Sequence, residues 1–539
     1  MLSSPLSPSA LPRPEPGERP TVYADRVGAR YAAAKSDRHR KGHGLYLTPV
    51  LAADFMAARI RASGGRLRML DPAAGAGVLC CAAVEAIVAR EPAPVSIECG
   101  AYEVDADLIA PLRAVLAYLT AWCRARYGVR LEARVEAADF VMAHAGALRP
   151  GGPIRCGSGG EGFDAVIFNP PYFKIGRTDP RAVAASTVVH GQPNIYALFM
   201  AVSAALLRPG GDFVCITPRS FASGSYFRRF RTTFFEMIRP LHVHVFGSRR
   251  AAFRRDDVLQ ENVILAGVRR DPRRRADLQA ELTISCSRGV NDLAAAALRT
   301  VPLRTALDQE TADRVLRLPA SAEEGRVLAL VDAWSTTLHS LGLEISTGPV
   351  VPFRATAVVD REGRVPDTHA PLLWMHHVRG TQVTWPLNRR KPEYIRRRGA
   401  EALLIPNRNY VLMRRFTAKE EARRLAAAPY LAGDFAVPEI GLENHLNYIH
   451  RPGGTLSEDE AWGLTALYNS SLLDTYFRCV NGNTQVNATE LRVMPLPARE
   501  VVVSLGRLVR RLHDPLNGLD ELVMRLVGGA QHAGMEAVA

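Results

Sequence analysis

Apolar positions in the first half of the chain alternate between short runs typical of buried strands and longer runs with helical spacing. Each strand-like run is followed by a helix-like one, which favours βαβ units and a mostly parallel sheet covered on both faces. The sequence therefore predicts an α/β, Rossmann-like fold. Predicted strands lie at 68–70, 97–104, 131–135, 163–168 and 213–216, and predicted helices at 78–88, 107–125 and 194–207.

Two later apolar runs, 241–246 and 263–268, predict an antiparallel pair that closes this sheet. The alternation fades after a basic segment at 269–275, and the chain beyond it mixes short strands, turns and aromatic residues. We therefore expect a second domain of mixed α+β type. The expected division is a disordered tail at 1–23, an α/β domain at 24–285, the second domain at 286–500, and a C-terminal helix and tail at 501–539.

Charge and cysteine usage narrow the class of protein. The 539 residues carry 68 Lys and Arg against 54 Asp and Glu, a net charge of +14, which makes nucleic acid the first candidate partner. The apolar content of 47% is typical of a globular protein, and apolar runs of about 18 residues, as a membrane span needs, do not occur. Eight scattered cysteines without a C-x-x-C pair predict reduced thiols in a cytoplasmic protein.

A glycine-rich turn follows the first predicted strand, at Asp71–Gly77. Glycines there permit a tight turn and let a ligand lie against the backbone, at the edge where open α/β sheets bind ligands. A tight turn without a ligand would explain the same residues. The turn alone therefore predicts a binding site only weakly.

Acidic residues follow the next two strands. Glu103 and Asp105 come after the second strand, where a carboxylate can accept hydrogen bonds from both hydroxyls of a ribose, and Asp139 follows the third. Because the carboxyl ends of parallel strands meet at one edge, the three acids would line one crevice. Each acid alone is also compatible with a solvated cap or turn.

The fourth strand runs directly into Asn169-Pro170-Pro171-Tyr172. The prolines fix the backbone and remove two N–H donors, so the neighbouring carbonyls and the Asn169 amide are left as acceptors. Such acceptors suit an amino group on a flat ring, and Tyr172 offers a face for stacking. A Pro-Pro turn that caps the strand would explain the prolines but not the Asn and Tyr beside them.

Together these motifs resemble the gamma class of adenine N6 DNA methyltransferases, the TaqI-like and PstI-like methylases of restriction-modification systems, which belong to the class I S-adenosylmethionine-dependent enzymes. The segment Gly44–Pro49 resembles the family's most N-terminal cofactor motif, and the match covers about 40–285. Two later segments, 406–416 and 482–488, resemble its target-recognition region.

The resemblance implies transfer of a methyl group from S-adenosylmethionine to adenine N6 in duplex DNA, with the base flipped out of the helix. Glu103 would hold the ribose of the cofactor, and Asp139 its adenine amino group. An aromatic residue near the late strand pair would stack on the flipped base opposite Tyr172; Phe253 is the first candidate and Phe246 the alternative. Catalytic residues would be Asn169, Pro170, Pro171 and Tyr172; the cofactor would be bound by Tyr46, Thr48, Asp71, Ala73, Gly75, Gly77, Glu103 and Asp139.

Basic and amide side chains are expected to contact the DNA, since phosphate contacts favour arginine and lysine. Each of them is individually compatible with a solvated surface. The main candidates are Arg249, Arg250, Arg389, Arg390, Lys391, Asn483, Gln485 and Asn487, and further ones are Arg228, Arg229, Arg231 and Arg396–Arg398.

Two other functions remain open from the sequence: an RNA or protein-glutamine amino-methyltransferase, and a catalytically silent DNA-binding specificity subunit. A fused nuclease is not expected, because no acid stands two residues before any lysine, as the commonest restriction motif requires. We expect a separately encoded endonuclease as a partner, association with the nucleoid, and no membrane. Methyl transfer of this type needs no metal, and the pairs His242/His244 and His376/His377 are expected to be strand or turn residues.

Overall fold

The computed structural model describes residues 11–36, 39, 47–149, 162–247, 261–273, 279–309, 311, 313–388, 390–417, 421, 423–481 and 485–536. The chain divides into two compact units, residues 1–320 and 321–539. Tyr46, Arg249, Arg250, Phe253, Arg389 and Asn483, which the sequence singles out, lie outside the described residues.

The first unit contains one nine-stranded sheet with helices on both faces. Its strands are β1 (Arg66–Asp71), β2 (Ser96–Tyr102), β3 (Arg130–Glu136), β4 (Phe163–Phe168), β5 (Leu207–Pro218), β6 (Ile238–Phe246), β7 (Asn262–Arg269), β8 (Glu281–Ser287) and β9 (Ala297–Pro302). Its helices are α1 (Pro20–Ala34), α2 (Val50–Ala57), α3 (Val78–Val88), α4 (Ala106–Tyr127), α5 (Phe140–His144), α6 (Pro180–Ala184), α7 (Ile195–Leu206), α8 (Arg228–Met237) and α9 (Leu303–Ala306).

The strand order is β3-β2-β1-β4-β5-β7-β6-β8-β9. Strands β1 to β5 pair in parallel, and β7 pairs antiparallel with both β5 and β6, as the sequence predicts. Chain order reverses between β1 and β4, so the carboxyl ends of these strands frame a crevice, the usual ligand position in such sheets. The α/β prediction is confirmed.

The helices follow from simple local signals. Every residue of α7 is buried, which explains why this segment is apolar all round. Helix α4 begins at Asp105, whose side chain accepts a hydrogen bond from the Asp107 amide, and ends at Gly128 in the left-handed conformation (φ +69°). This helix is long and apolar enough to cross a membrane by length and composition, yet one face of it, including Leu112 and Val115, packs in the core.

Three boundaries differ from the sequence expectation. The first unit extends past residue 285 because β8 pairs with β6 and β9 pairs with β8, which draws this stretch into the sheet. Order begins before residue 24, since α1 starts at Pro20 and buries Tyr23. The segment 501–539 belongs to the second unit and forms two helices, with Pro515 between them, rather than one.

The second unit is of mixed α+β type, and its described residues form three small sheets. Its strands are β10 (Glu344–Thr347), β11 (Val359–Asp360), β12 (His369–Leu373), β13 (Val378–Arg379), β14 (Gln382–Val383), β15 (Tyr394–Arg396), β16 (Leu404–Pro406), β17 (Tyr410–Arg414), β18 (Ala427–Tyr430), β19 (Glu439–Leu442) and β20 (Leu446–His450). Its helices are α10 (Ala322–Asp332), α11 (Glu458–Asn469), α12 (Ser471–Val480), α13 (Ala488–Arg492), α14 (Arg499–Val509) and α15 (Leu519–Glu536).

Helices α11 and α14 approach each other closely through two glycines. A Cβ on Gly463 would stand 1.9 Å from the Val502 carbonyl oxygen, and one on Gly506 would stand 1.8 Å from that of Asp459. No side chain fits there, so these two positions require glycine. The contact fixes the C-terminal helices to the core of the second unit.

Candidate active site

Hydrogen bonds to the Asp71 side chain stabilise the turn that follows β1. This carboxyl group is 1% exposed; one of its oxygens accepts a hydrogen bond from the Ala73 amide at 3.2 Å, and the other from the Cys80 thiol at 3.5 Å. Burial raises its pKa to about 7. Asp71 therefore shapes the turn, while the backbone of residues 72–76 faces a cavity.

Both glycines of this turn have left-handed backbone conformations, with φ +55° at Gly75 and +88° at Gly77. A Cβ on Gly77 would meet Leu112 of α4 at 3.0 Å, whereas the space beside Gly75 is open. Gly77 is thus needed for helix packing and Gly75 for the backbone path. Gly75 lines the cavity and Gly77 does not.

Glu103 joins the glycine turn to the end of β2. Its carboxylate accepts hydrogen bonds from the amides of Gly75 at 2.9 Å, Val104 at 2.8 Å and Asp105 at 2.8 Å. Burial raises its pKa, although these three hydrogen bonds act in the opposite direction. Oε1 accepts two of these hydrogen bonds and Oε2 accepts one, so Oε2 keeps an acceptor site with which the side chain can still bind a ribose hydroxyl.

Asp105 is held by the N-terminal helix, a link that the sequence did not reveal. Its Oδ2 accepts a hydrogen bond from the hydroxyl of Tyr31, a fully buried residue of α1, and lies 2.9 Å from His39 Nε2. Lys35 pairs with Asp107 in the next turn of chain. Helix α1 is therefore anchored to the rim of the cavity, which Asp105 lines.

Asp139 lies three residues after β3 and caps α5, accepting a hydrogen bond from the Met142 amide at 3.0 Å. Arg181 stands 3.8 Å from its Oδ2 and pairs more closely with Asp179, at 2.7 Å. The same guanidinium lies 5.8 Å from the centre of the Phe173 ring. Phe173 directly follows the Asn-Pro-Pro-Tyr motif and was within reach of sequence reasoning, whereas no local pattern marks Arg181.

These groups surround one cavity of about 250 Å³ at the carboxyl ends of the strands. The predicted acids Glu103, Asp105 and Asp139 all line it, as the sequence led us to expect. Thr48, Asn169 and Arg181 are polar or charged members of its wall, and most of the remaining lining side chains are apolar. The lining residues are Leu47, Thr48, Pro72–Ala76, Val78, Leu79, Tyr102–Asp105, Ala138–Phe140, Asn169, Pro171, Phe173, Arg181, Ile195 and Phe199.

The side-chain amide of Asn169 is oriented by two neighbours. Its Nδ2 donates to Thr48 Oγ1 at 3.1 Å, and its Oδ1 accepts from the Tyr172 hydroxyl. That hydroxyl also lies 3.1 Å from the Ile216 carbonyl oxygen, and Tyr172 is 7% exposed. The structure thus brings Thr48, Asn169 and Tyr172 together; Thr48 and Asn169 line the cavity, and Tyr172 contacts Asn169 through its hydroxyl.

Two other aromatic and basic candidates in the first unit lie in the interior. Phe246 is 3% exposed and packs edge-on against His244. Arg231 is 1% exposed and donates to the carbonyls of Phe221, Gly224 and Asp313. Burial lowers the pKa of Arg231 to about 10. Neither side chain is on a surface that could meet DNA, which corrects the expectation for both.

Most predicted contact residues of the second unit have partners within the fold. Asn487 caps α13 and donates to Glu490, and Gln485 accepts a hydrogen bond from Arg415 at 3.3 Å. Arg396 pairs with Asp360 and Arg397 with Glu439. Arg390 and Lys391 are exposed, and the Lys391 ammonium lies 4.4 Å from the centre of the Trp374 ring.

The segment 406–416, chosen for its resemblance to a target-recognition motif, contributes strand β17 to the core. The two hydrogens of Asn407 Nδ2 are shared among the carbonyls of Ala432, Phe435 and Val437, at 3.1, 2.9 and 2.8 Å, and its Oδ1 accepts from the Tyr430 hydroxyl at 2.7 Å. The Asn407 side chain therefore stabilises the loop formed by residues 432–437 through hydrogen bonds to its backbone.

Among the described residues, one group of His, Cys, Asp and Glu has donor atoms close enough to hold a metal ion: His376, His377 and Glu393. His377 Nδ1 accepts a hydrogen bond from the Trp374 amide at 2.8 Å, so its proton resides on Nε2. Nε2 then donates to Glu393 at 3.1 Å. This tautomer supports a hydrogen-bonded pair, since a metal would need the lone pair of Nε2.

A parallel sheet with an antiparallel β7, a glycine turn after β1, acids after β2 and β3, and an amide acceptor after β4 define a class I S-adenosylmethionine-dependent methyltransferase. The family model described as Eco57I restriction-modification methylase matches residues 131–253. The type II methyltransferase M.PstI of Providencia stuartii is 30% identical over 507 residues, which cover 93% of this chain and 96% of that protein. M.BsuBI of Bacillus subtilis, also a type II methyltransferase, is 31% identical over 476 residues, 86% and 90% of the two chains.

Two solved structures are similar at a greater distance. The DrdV–DNA complex is 12% identical, with a TM-score of 0.49 and coverage of 94% of this chain and 61% of that chain. The type IIG restriction endonuclease BpuSI is 14% identical, with a TM-score of 0.44 and coverage of 94% and 68%.

The chain belongs to the family of type II restriction-modification methyltransferases. Its activity is DNA methylation, and its methyl donor is S-adenosylmethionine. The cavity fits this donor, because it offers open space beside a glycine turn, carboxylates for hydroxyl and amino groups, and apolar walls.

Proposed function

We propose that the enzyme methylates N6 of adenine in duplex DNA and that the target base is flipped out of the helix. The observation that carries this proposal is the orientation of the Asn169 amide. Thr48 accepts from its nitrogen and the Tyr172 hydroxyl donates to its oxygen, so the oxygen is presented as an acceptor at the wall of the cofactor cavity.

An acceptor is what an exocyclic amino group needs in order to react. Its lone pair is delocalised into the ring, which makes the nitrogen a poor nucleophile. Asn169 Oδ1 and the Pro170 carbonyl would accept its two hydrogens and draw the nitrogen towards sp³ geometry. Pro171 fixes the backbone of this turn. Catalysis then relies on positioning and on fixed dipoles, without a covalent enzyme intermediate.

The cofactor supplies an electrophilic methyl group on a sulfonium. Glu103 would accept from its ribose hydroxyls and Asp139 from its adenine amino group. Thr48 and the turn formed by Asp71, Ala73, Gly75 and Gly77 would enclose the methionine part, together with Tyr46. Neither Asn169 nor the Pro170 carbonyl is basic enough to keep the proton that the product nitrogen loses, so that proton passes to water.

A base inside a duplex cannot reach this cavity, so we propose that it leaves the stack and packs against Tyr172. Phe253 would cover the opposite face of the base. We assign cofactor binding and chemistry to the first unit and DNA reading to the second. The excess of 14 positive charges supports phosphate contacts, for which we propose Arg249, Arg250, Arg389, Arg390 and Lys391, with Asn483, Gln485 and Asn487 near the bases.

We further propose that the enzyme acts on the nucleoid in the cytoplasm and protects its sites from a separately encoded endonuclease. This partner is testable, because DNA methylated by the enzyme should resist cleavage by the nuclease encoded beside it. Equal cleavage of methylated and unmethylated DNA would contradict the pairing.

Single-molecule sequencing of DNA from cells that express the chain tests the choice of base. One adenine motif modified at N6 is the expected result, and modification at cytosine would contradict the proposal. Transfer of a tritiated methyl group to duplex DNA, RNA and protein, measured in parallel, separates this function from the RNA, protein and non-catalytic alternatives.

A further inference from the structure

One edge of the second unit presents an aromatic ring to solvent. Phe353 is 75% exposed, the highest value among the large apolar side chains of the described residues. The Arg354 guanidinium lies 5.4 Å from the centre of this ring. The Arg354 and Ala355 amides donate to the Val351 carbonyl at 2.9 and 3.0 Å, so the ring stands on an ordered turn. A single exposed apolar residue is ordinary, so its surroundings decide its meaning.

Backbone hydrogen bonds fasten this turn to a second loop. The Val350 amide donates to the Leu442 carbonyl at 3.0 Å, and the Asn444 amide donates to the Val350 carbonyl at 2.9 Å. The second loop carries Glu443, which is fully buried, and His445, whose side chain is 41% exposed. The turn bearing Phe353 and the loop bearing His445 are therefore neighbours.

The buried Glu443 interacts with two side chains of this region. Its carboxylate contacts the His445 ring, and the positive charge of Lys391 also acts on it. Burial raises the pKa of Glu443, and the interactions with His445 and Lys391 counter that effect. The Glu443 side chain is 1% exposed and therefore adds little negative charge to the surface.

Arg415 extends the same edge. Its guanidinium donates to the Asn444 carbonyl at 3.2 Å and to Gln485 Oε1 at 3.3 Å. The ring of Phe416, the next residue, packs edge-on against His445 with centres 4.8 Å apart. We call this set of side chains, carried by the linked turn and loop and the segments next to them, the aromatic–basic edge; it comprises Phe353, Arg354, Lys391, Arg415, His445 and Gln485.

We infer that the aromatic–basic edge binds duplex DNA and that Phe353 stacks against its bases. This inference rests on the proposed function for the identity of the target. Three fixed cations suit phosphates, Gln485 offers an amide for a base edge, and an exposed ring beside an arginine suits a base face. A protein partner would be expected to meet a broader apolar surface than one ring.

The experiment measures binding of the full-length protein by fluorescence anisotropy. The probes are a 30-base-pair duplex carrying the methylated motif identified by sequencing, a random duplex of equal length, a single-stranded DNA and an RNA. The variants are Phe353→Ala, Phe353→Leu, Phe353→Trp and the pair Arg354→Gln with Lys391→Gln. Val493→Ala is the matched control, because Val493 is 67% exposed in the same unit.

Phe353→Ala and Phe353→Leu are expected to weaken duplex binding about tenfold, by the same factor at low and high salt, because stacking is not electrostatic. Phe353→Trp should retain binding. The double charge variant should instead reduce the slope of log K against log salt by about 1.8, the value for two phosphate contacts. Cofactor affinity and the thermal midpoint should stay at the wild-type level in every variant.

Wild-type affinity of both Phe353→Ala and Phe353→Leu would overturn the inference. Retained binding by Phe353→Leu alone would also overturn it, since an apolar contact would then suffice, and so would a loss confined to the single-stranded probes. The proposed function is tested separately by the wild-type protein. Cytosine methylation with a Phe353 effect would refute that function and keep this inference, whereas adenine methylation without a Phe353 effect would do the reverse.

Discussion

The two units use partly buried side-chain amides in opposite ways. In the first, Asn169 leaves its oxygen at the wall of a cavity and is oriented by Thr48 and Tyr172. In the second, the Asn407 amide forms its hydrogen bonds within the unit, with three carbonyls and a tyrosine hydroxyl. The same residue type therefore has its proposed catalytic role where a strand ends at a cavity. It has a structural role where its hydrogen-bond partners belong to a neighbouring loop and strand. Proximity to a sheet edge, rather than residue type, distinguishes the two.

The largest effect is expected from Asn169→Ala. Because it removes the acceptor for the target amino group, turnover should fall by about 10³-fold or more. Cofactor affinity, measured by calorimetry, and the free energy of unfolding should change little. Asn291→Ala, an exposed asparagine in the same unit, is the control and should behave as wild type. Turnover within threefold of wild type would remove Asn169 from the reaction.

A smaller loss is expected from Tyr172→Phe, which keeps the ring and deletes the hydroxyl that donates to Asn169. The maximal rate should fall about tenfold through looser orientation of the amide, while KM for DNA stays nearly constant because the ring still packs on the base. Tyr226→Phe, at an exposed tyrosine, is the control. A raised KM with an unchanged maximal rate would show that the hydroxyl serves binding and not orientation.

Asn407→Ala tests the other half of the comparison. It leaves three carbonyls and a tyrosine hydroxyl of the second unit without their partner, so the free energy of unfolding should fall by about 2 kcal/mol. At temperatures where the variant is folded, its cofactor affinity should equal that of wild type. Denaturation by urea measures the loss, with exposed Asn517→Ala as the control. An unchanged midpoint would contradict the structural role.

A further prediction concerns the pH dependence of stability. Burial raises the pKa of Asp71 from 3.8 to about 7, so ionising it in the folded protein is costly. The free energy of unfolding of the cofactor-free protein should therefore decrease between about pH 4 and pH 7, by up to about 4 kcal/mol, the linkage equivalent of this shift. Asp71→Asn should remove that part of the dependence, and Asp367→Asn, at an exposed acid, should not. Parallel pH curves for wild type and Asp71→Asn would refute the assignment.

The sequence predicts the first unit better than the second for a physical reason. In a parallel sheet, strand ends share one edge, so Asp71, Glu103 and Asn169 can be brought together from chain order alone. Arg181 was missed because a single cation carries no periodic signal, and Phe173 was missed although it directly follows the Asn-Pro-Pro-Tyr motif. The link from Tyr31 to Asp105 spans 74 positions and leaves no local trace.

The second unit is built from short strands whose partners are distant in sequence. Strand β12 pairs in parallel with β19, and β10 pairs with β20. No local sequence pattern predicts either pairing. Strands β8 and β9 of the first unit were missed for a related reason. They follow a basic segment that interrupts the apolar rhythm, so the sheet continues where the pattern indicated a boundary.

Among the residues that the structure describes, strand β9 pairs with β8 alone and forms an edge of the nine-stranded sheet. Its residues affect how the protein behaves at high concentration. Five of the six residues of β9 are at least partly exposed, including Leu298 at 70%. An unpaired edge of this kind can template a strand from another molecule. Arg299 places a positive charge there and Pro302 offers no N–H for pairing. Arg299 and Pro302 thus disfavour the strand-by-strand association of copies that leads to fibres.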